Sequence, residues 1–171
     1  GKAFERKVII AVFPELCITG ATCGDLFGQT LLVRSAEEGV EKIAEFSKGK
    51  HMAIVVGAPV PYAGRLYNCS VVICEGRIAG IVPKIHLSNE DKRIFASGCD
   101  FQNSAKDLEI RYAGQKCPVS PDLQFRIGAA VFAVETGEDL QAPIPQSSRH
   151  AMSGVHVIAH PSAENEVLMT D

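Results

Sequence analysis

The sequence predicts an α/β protein in which helices cover a mixed sheet, and three observations lead there. Val8 to Phe13 is a continuous apolar run ended by Pro14, the pattern of a strand buried on both faces. Between Asp25 and Lys48, Leu32, Ala36, Val40, Ile43 and Ala44 recur at helical spacing, while Glu37, Glu38, Glu41, Lys42 and Glu45 mark a solvent face. Cys69 to Cys74 and Arg77 to Val82 are joined by Glu75-Gly76, which reads as a hairpin. Parallel crossovers and an antiparallel pair together give a mixed sheet under helices.

The remaining elements follow in order. Gly49 closes the helix, and Ala53 to Gly57 is a second apolar strand. Leu108 to Tyr112 and Gln115 to Val119 suit a small surface hairpin around Ala113-Gly114. Ile127 to Glu135 reads as one buried strand, Ile144 to Gly154 as a short helix and Val155 to His160 as a last strand. With no internal repeat and no linker, residues 1–171 are expected to form one domain.

Composition narrows the function. Net charge is -3, so nothing attracts nucleic acid over long range, and no apolar run reaches membrane-spanning length. The six cysteines form no C-x-x-C pair and suit reduced, packed thiols, so a cytoplasmic setting without a structural metal is expected. His150, His156 and His160 fit no standard metal spacing.

Chemistry-bearing residues follow three of these strands. Glu15 follows Phe13-Pro14, Lys84 follows Val82-Pro83, and Glu135-Thr136-Gly137-Glu138-Asp139 follows Val134. Taken singly each suits an ordinary surface residue or helix start. Ligand sites in open sheets with crossover helices lie beyond strand C-termini, so the three are candidates to converge.

Several collinear blocks resemble the nitrilase, or carbon–nitrogen hydrolase, superfamily. Phe13-Pro14-Glu15-Leu16, Thr22-Cys23-Gly24-Asp25-Leu26-Phe27, Gly64-Arg65-Leu66-Tyr67-Asn68-Cys69, Gly80-Ile81-Val82-Pro83-Lys84, Phe95-Ala96-Ser97-Gly98, Glu138-Asp139-Leu140, Ala142-Pro143-Ile144-Pro145 and Ser162-Ala163 together look most like the glutaminase domains of glutamine-dependent NAD synthetases. The resemblance implies a four-layer α-β-β-α sandwich, incomplete here at both ends, and amide hydrolysis by a cysteine thiolate. It implies Glu15 as general base and Lys84 as oxyanion lysine, with the Glu138 N–H completing the oxyanion hole and Ser162 helping to hold a glutamine-like amide. It further implies homo-oligomers and, as partner, a synthetase domain that is absent here and would bind ATP and deamido-NAD. No cofactor is expected in this domain.

The nucleophile position of that pattern holds Gly137, which has no thiol. Three further departures surround it: Ala21 and Gln141 in place of aromatic residues, and Glu164 in place of serine. The Leu87–Arg93 stretch is short, and Asp91 is the nearest counterpart of an extra family glutamate. Two readings therefore stand: a carbon–nitrogen hydrolase domain inactivated at Gly137, or a non-catalytic binding module on the same scaffold.

Overall fold

The computed structural model describes residues 5–102 and 108–163. Strands β1 (Ile10–Val12), β2 (Ala53–Tyr62), β3 (Arg65–Cys74) and β4 (Arg77–Pro83) form a four-stranded sheet in that spatial order. β1 runs parallel to β2, and the other pairs are antiparallel. The helix α1 (Thr30–Ser47) makes the β1–β2 crossover. A ribbon of β5 (Glu109–Tyr112) and β6 (Gln115–Pro118) reaches β4 through the Ile81–Val119 bridge. After the short α2 (Cys99–Gln102) and that ribbon come β7 (Gln124–Ile127), β8 (Ala130–Val134), α3 (Gln146–Met152) and β9 (Val157–Ala159). In the second sheet β8 lies between antiparallel β7 and parallel β9.

The two-residue period of the strands sorts their side chains into layers. On β2, Ile54, Val56, Ala58 and Val60 share a buried cluster with Val40 and Ala44 of α1. Ala53 and Val55 face the other way and join Val72, Val82, Phe125, Phe132, Val134 and Ala159 between the sheets. Outward from the second sheet, Gln124 donates to Ser153 Oγ at 2.6 Å just past α3. The outward Ala133 is fully covered. The layers are helix, sheet, sheet, helix, as expected.

Three element boundaries differ from the sequence reading. The expected helix from Asp25 begins only at Thr30, after a 3₁₀ turn over Gly24–Gly28, because Gln29 is extended at φ -89° and ψ 121°. The single strand expected from Ile127 to Glu135 is the second half of a hairpin. Gly128 takes a positive φ there, and Ile127 folds back onto Ala130. The strand expected to end at Gly57 continues through Pro59 and Pro61 to Tyr62, then turns at Ala63-Gly64 into β3. Both turn residues have positive φ, which matches the twist of the strands it joins.

Candidate active site

Glu15 is set in place by a backbone contact. Phe13 N–H donates to Val55 O at 2.9 Å, and the chain then folds over β2 with Leu16 at φ 50°. Beneath it lies Gly57, where a Cβ would fall 2.1 Å from Leu16 N and 2.8 Å from the Glu15 carbonyl carbon. Only glycine permits that approach, so β2 can carry the Glu15 backbone directly on its surface. Lys84 leaves the end of β4, with its N–H on Asn68 O at 2.9 Å and its carbonyl taking the Gly98 N–H at 2.8 Å. Gly137 opens the 3₁₀ turn Gly137–Gln141 after β8 at φ 52°, and its N–H donates to Pro161 O at 2.9 Å.

These three strand ends meet. Lys84 Nζ donates to Glu15 Oε1 at 2.7 Å and to Asp91 Oδ2 at 3.0 Å, and it is ion-paired with Glu138 Oε2. Asn68 Nδ2 donates to the same Glu15 oxygen at 2.6 Å. A Cβ at position 137 would lie 2.8 Å from Glu15 Oε2 and 3.0 Å from Lys84 Nζ. Lys84 is 2% exposed and Glu15 6%. Burial alone would lower the Lys84 pKa, but Glu138, Glu15 and Asp91 around the ammonium outweigh it and hold the lysine well above its usual range. Oxygens of Glu15, Asp91 and Glu138 all lie within 4.8 Å of one another, a spacing that suits a cation. Lys84 Nζ touches all three, so the charge they face is a side chain of this chain.

A second layer of contacts fixes the turn. Asp139 accepts the N–H groups of Ile85 at 3.0 Å and His86 at 2.6 Å, tying the 137–141 turn to the segment after Lys84. Burial pushes the Asp139 carboxyl up, and those donors pull it partly back. Ser70 and Thr136 hydroxyls lie 2.8 Å apart between the sheets. The cluster opens onto a cleft of 440 Å³ walled by Ala21, Thr22, Glu90 and Ala163.

Of the residues singled out from sequence, Glu15, Lys84, Gly137 and Glu138 come together. Asp91 joins them. Ser162 is half-buried between Pro161, which holds the Gly137 N–H, and Ala163, which lines the cleft. Glu164 lies outside the described residues. The three histidines take separate protein partners: His156 accepts the Val131 N–H, His160 bonds to Glu135 O, and His150 faces Gln124. Two features escaped sequence reasoning. Glu138 contributes its carboxylate as well as its backbone. Asn68 holds Glu15, and the alternation that turns Val72 between the sheets puts Ser70 and Asn68 on the same side of β3, a signal that could have found it.

A carbon–nitrogen hydrolase family model matches residues 1–137, ending on the glycine of the cluster. The chain belongs to the carbon–nitrogen hydrolase family. Among curated members it is 33% identical over 163 residues to the glutamine-dependent NAD(+) synthetase of Mycobacterium leprae, covering 91% of this chain and 23% of that protein. It is 32% identical to the Mycobacterium tuberculosis enzyme of the same name, over 88% of this chain and 22% of that protein. The solved glutamine-dependent NAD(+) synthetase from Cytophaga hutchinsonii superposes with a TM-score of 0.77 at 27% identity, over 95% of this chain and 26% of that one. The chain therefore spans about a quarter of the length of these relatives. An amidase from a Nesterenkonia species shares the fold at 16% identity and a TM-score of 0.66, over 94% of this chain and 56% of its own. The nitrilase-superfamily fold expected from sequence is thus present, and it is partial.

Proposed function

We propose that this chain is the amide-binding scaffold of a glutamine amidohydrolase of the NAD synthetase type, retaining its base and oxyanion lysine without a nucleophile. The observation that carries the reading is position 137, where an added Cβ would touch both Glu15 Oε2 and Lys84 Nζ. A thiol there would have a carboxylate to take its proton and an ammonium beside the developing oxyanion. The family resemblance assigns the Glu138 N–H to the oxyanion, and the Gly137 N–H before it is held by Pro161 O. In a whole protein, ammonia released here would serve a synthetase domain using ATP and deamido-NAD.

The decisive variant is Gly137→Cys. At φ 52° an L-residue carries about 1–2 kcal/mol of backbone strain. Its Cβ meets only the ends of two flexible side chains, which can shift by tenths of an ångström. The expected result is ammonia release from glutamine by the variant and none by the unmodified chain, with Gly137→Ala inert. A folded Gly137→Cys protein that neither binds nor hydrolyses glutamine overturns the reading. The absence of aromatic side chains at Ala21 and Gln141 supports a second reading, a module that binds amides without turnover. Calorimetry with glutamine on the unmodified chain tests it, and turnover by that chain excludes it.

A further inference from the structure

We propose that His86 is a positioning residue for this site: through Asp139 its ring holds the 137–141 turn, and with it the Glu138 N–H, in register with Lys84. The inference rests on the reading of the cleft as an amide-hydrolysing site. Among the described residues every donor to Asp139 comes from Ile85 or His86. The Ile85 N–H is shared between the two carboxylate oxygens at 3.0 and 3.1 Å, and Oδ1 also takes the His86 N–H at 2.6 Å and His86 Nδ1 at 3.0 Å. An ionised carboxylate only accepts, so Nδ1 carries the proton. Of the three donors two are backbone, and the ring is the one that a proton can change.

The segment after Lys84 is fixed from its other side. Gly98 N–H donates to Lys84 O at 2.8 Å, and Ser97 Oγ donates to Ile85 O at 2.7 Å. The 137–141 turn hangs from that segment by Asp139, so a shift of Asp139 moves its neighbour Glu138 relative to Lys84. Misplacing an oxyanion donor by about 1 Å can cost roughly a hundredfold in rate. The His86 side chain is 49% exposed, whereas Asp139 is 5% exposed. The ring lines a 330 Å³ cavity with Leu87, Lys92, Phe95 and Ser97, none of which walls the 440 Å³ cleft. A ligand in the cleft therefore feels His86 through Asp139. The charged groups around the pair are Lys92, in the same cavity, and Lys84 and Glu138, which are paired with each other. Burial pushes the Asp139 carboxyl up, and the His86 N–H, the Ile85 N–H, the ring bond and the ring's charge pull it down. Without the ring the carboxyl takes a proton at higher pH, and a protonated carboxyl is a poorer acceptor for the two backbone donors.

Two measurements test this. In the Gly137→Cys protein, adding His86→Ala is expected to lower kcat for glutamine by about fivefold or more with KM changed less than about twofold, because oxyanion donors act in the transition state. His86→Asn, whose Nδ2 can stand where Nδ1 stands, should return kcat to within about twofold near pH 8. A packing role gives neither that split nor that rescue. An unchanged kcat in His86→Ala, or a loss that His86→Asn does not repair, overturns the proposal. The second measurement needs no turnover: carboxyl-carbon NMR of the unmodified chain and of its two His86 variants. The Asp139 carboxyl should titrate at the highest pH in His86→Ala, lower in His86→Asn and lowest in the unmodified chain. Coincident titrations overturn the proposal, and should His86→Ala not fold, the His86→Asn curve alone decides. If the Gly137→Cys protein releases no ammonia, the amide-hydrolase reading fails by itself. The titration and the exchange rate of the Ile85 N–H then decide the tie: a raised titration with faster exchange in His86→Ala upholds it, and no change in either sinks it.

Discussion

Two buried polar clusters flank the same strand end, and they are built differently. At Lys84 the ammonium meets Glu15, Asp91 and Glu138, and Glu15 Oε1 takes a second donor from Asn68; among the described residues Asn68 Oδ1 has no partner, and Glu138 Oε2 is held by its ion pair with Lys84 alone. Beneath α3, Glu135, Gln146 and His150 are equally buried. There Glu135 Oε1 accepts the Ser147 N–H at 3.2 Å, while Glu135 Oε2, Gln146 Nε2 and His150 Nε2 have no partner among the described residues. A buried charge with every partner in place is a preorganised device, and removing one member strands the rest. A buried polar group with spare capacity contributes little, and its loss is tolerated. The contrast suggests that the first cluster is kept for chemistry and that the second anchors a helix.

The largest effect that sharpens this contrast is expected at Lys84. Lys84→Met leaves three carboxylates facing one another, Glu15 almost fully buried, and should destabilise the fold by about 3–5 kcal/mol in urea unfolding. A loss under about 1 kcal/mol would show that the ion pairs are not coupled to the fold. Next, Asn68→Leu removes the shorter of the two hydrogen bonds to Glu15 Oε1 at similar volume. It should cost about 1.5–3 kcal/mol, the range for bonds to charged groups, and leave Glu15 rotationally freer. Smaller again, Glu135→Met deletes one weak bond together with an orphaned oxygen, so its change should stay within about 1 kcal/mol. A Glu135→Met loss as large as that of Lys84→Met would erase the distinction between the clusters.

The smallest effect is a pH slope. Burial lowers the His150 pKa below its ordinary value, opposed in part by Asp122 and Glu135. The unfolded chain therefore binds a proton near the ordinary histidine pKa of about 6.5, before the folded chain does. Stability from this group is present above that pH and is lost as pH falls through it toward the folded value. Urea midpoints of the unmodified chain should drop between pH 7 and 5.5 more than those of His150→Gln. Parallel curves for the two proteins would mean that His150 is already free to charge.

Much of the fold was readable from local pattern. The i, i+4 stripe of α1 and the Glu75-Gly76 turn appear where their periodicities put them, whereas the apolar run before Pro14 forms a strand at the sheet edge, with Ile9, Val12 and Phe13 exposed rather than buried on both faces. The misreadings came where local signals compete. Gly128 splits an apolar stretch that composition alone makes continuous, and Pro59 and Pro61 sit inside a strand that pairs over ten residues. The site was half readable. Glu15, Lys84 and Gly137 each follow a strand, which sequence can show, whereas the Glu138 side chain and Asn68 matter only through what they touch.

The sequence by itself determined the layers, because alternation and helical period decide which face of each strand or helix leaves water. It also determined that position 137 carries no thiol. Tertiary structure decided that Glu15 and Lys84, 69 residues apart, meet beside that glycine. It did so through Gly57, which admits another backbone to within contact, and through Asp139, which ties the 137–141 turn to the residues after Lys84. Such contacts depend on where distant backbones pass one another, and a local pattern carries no record of that.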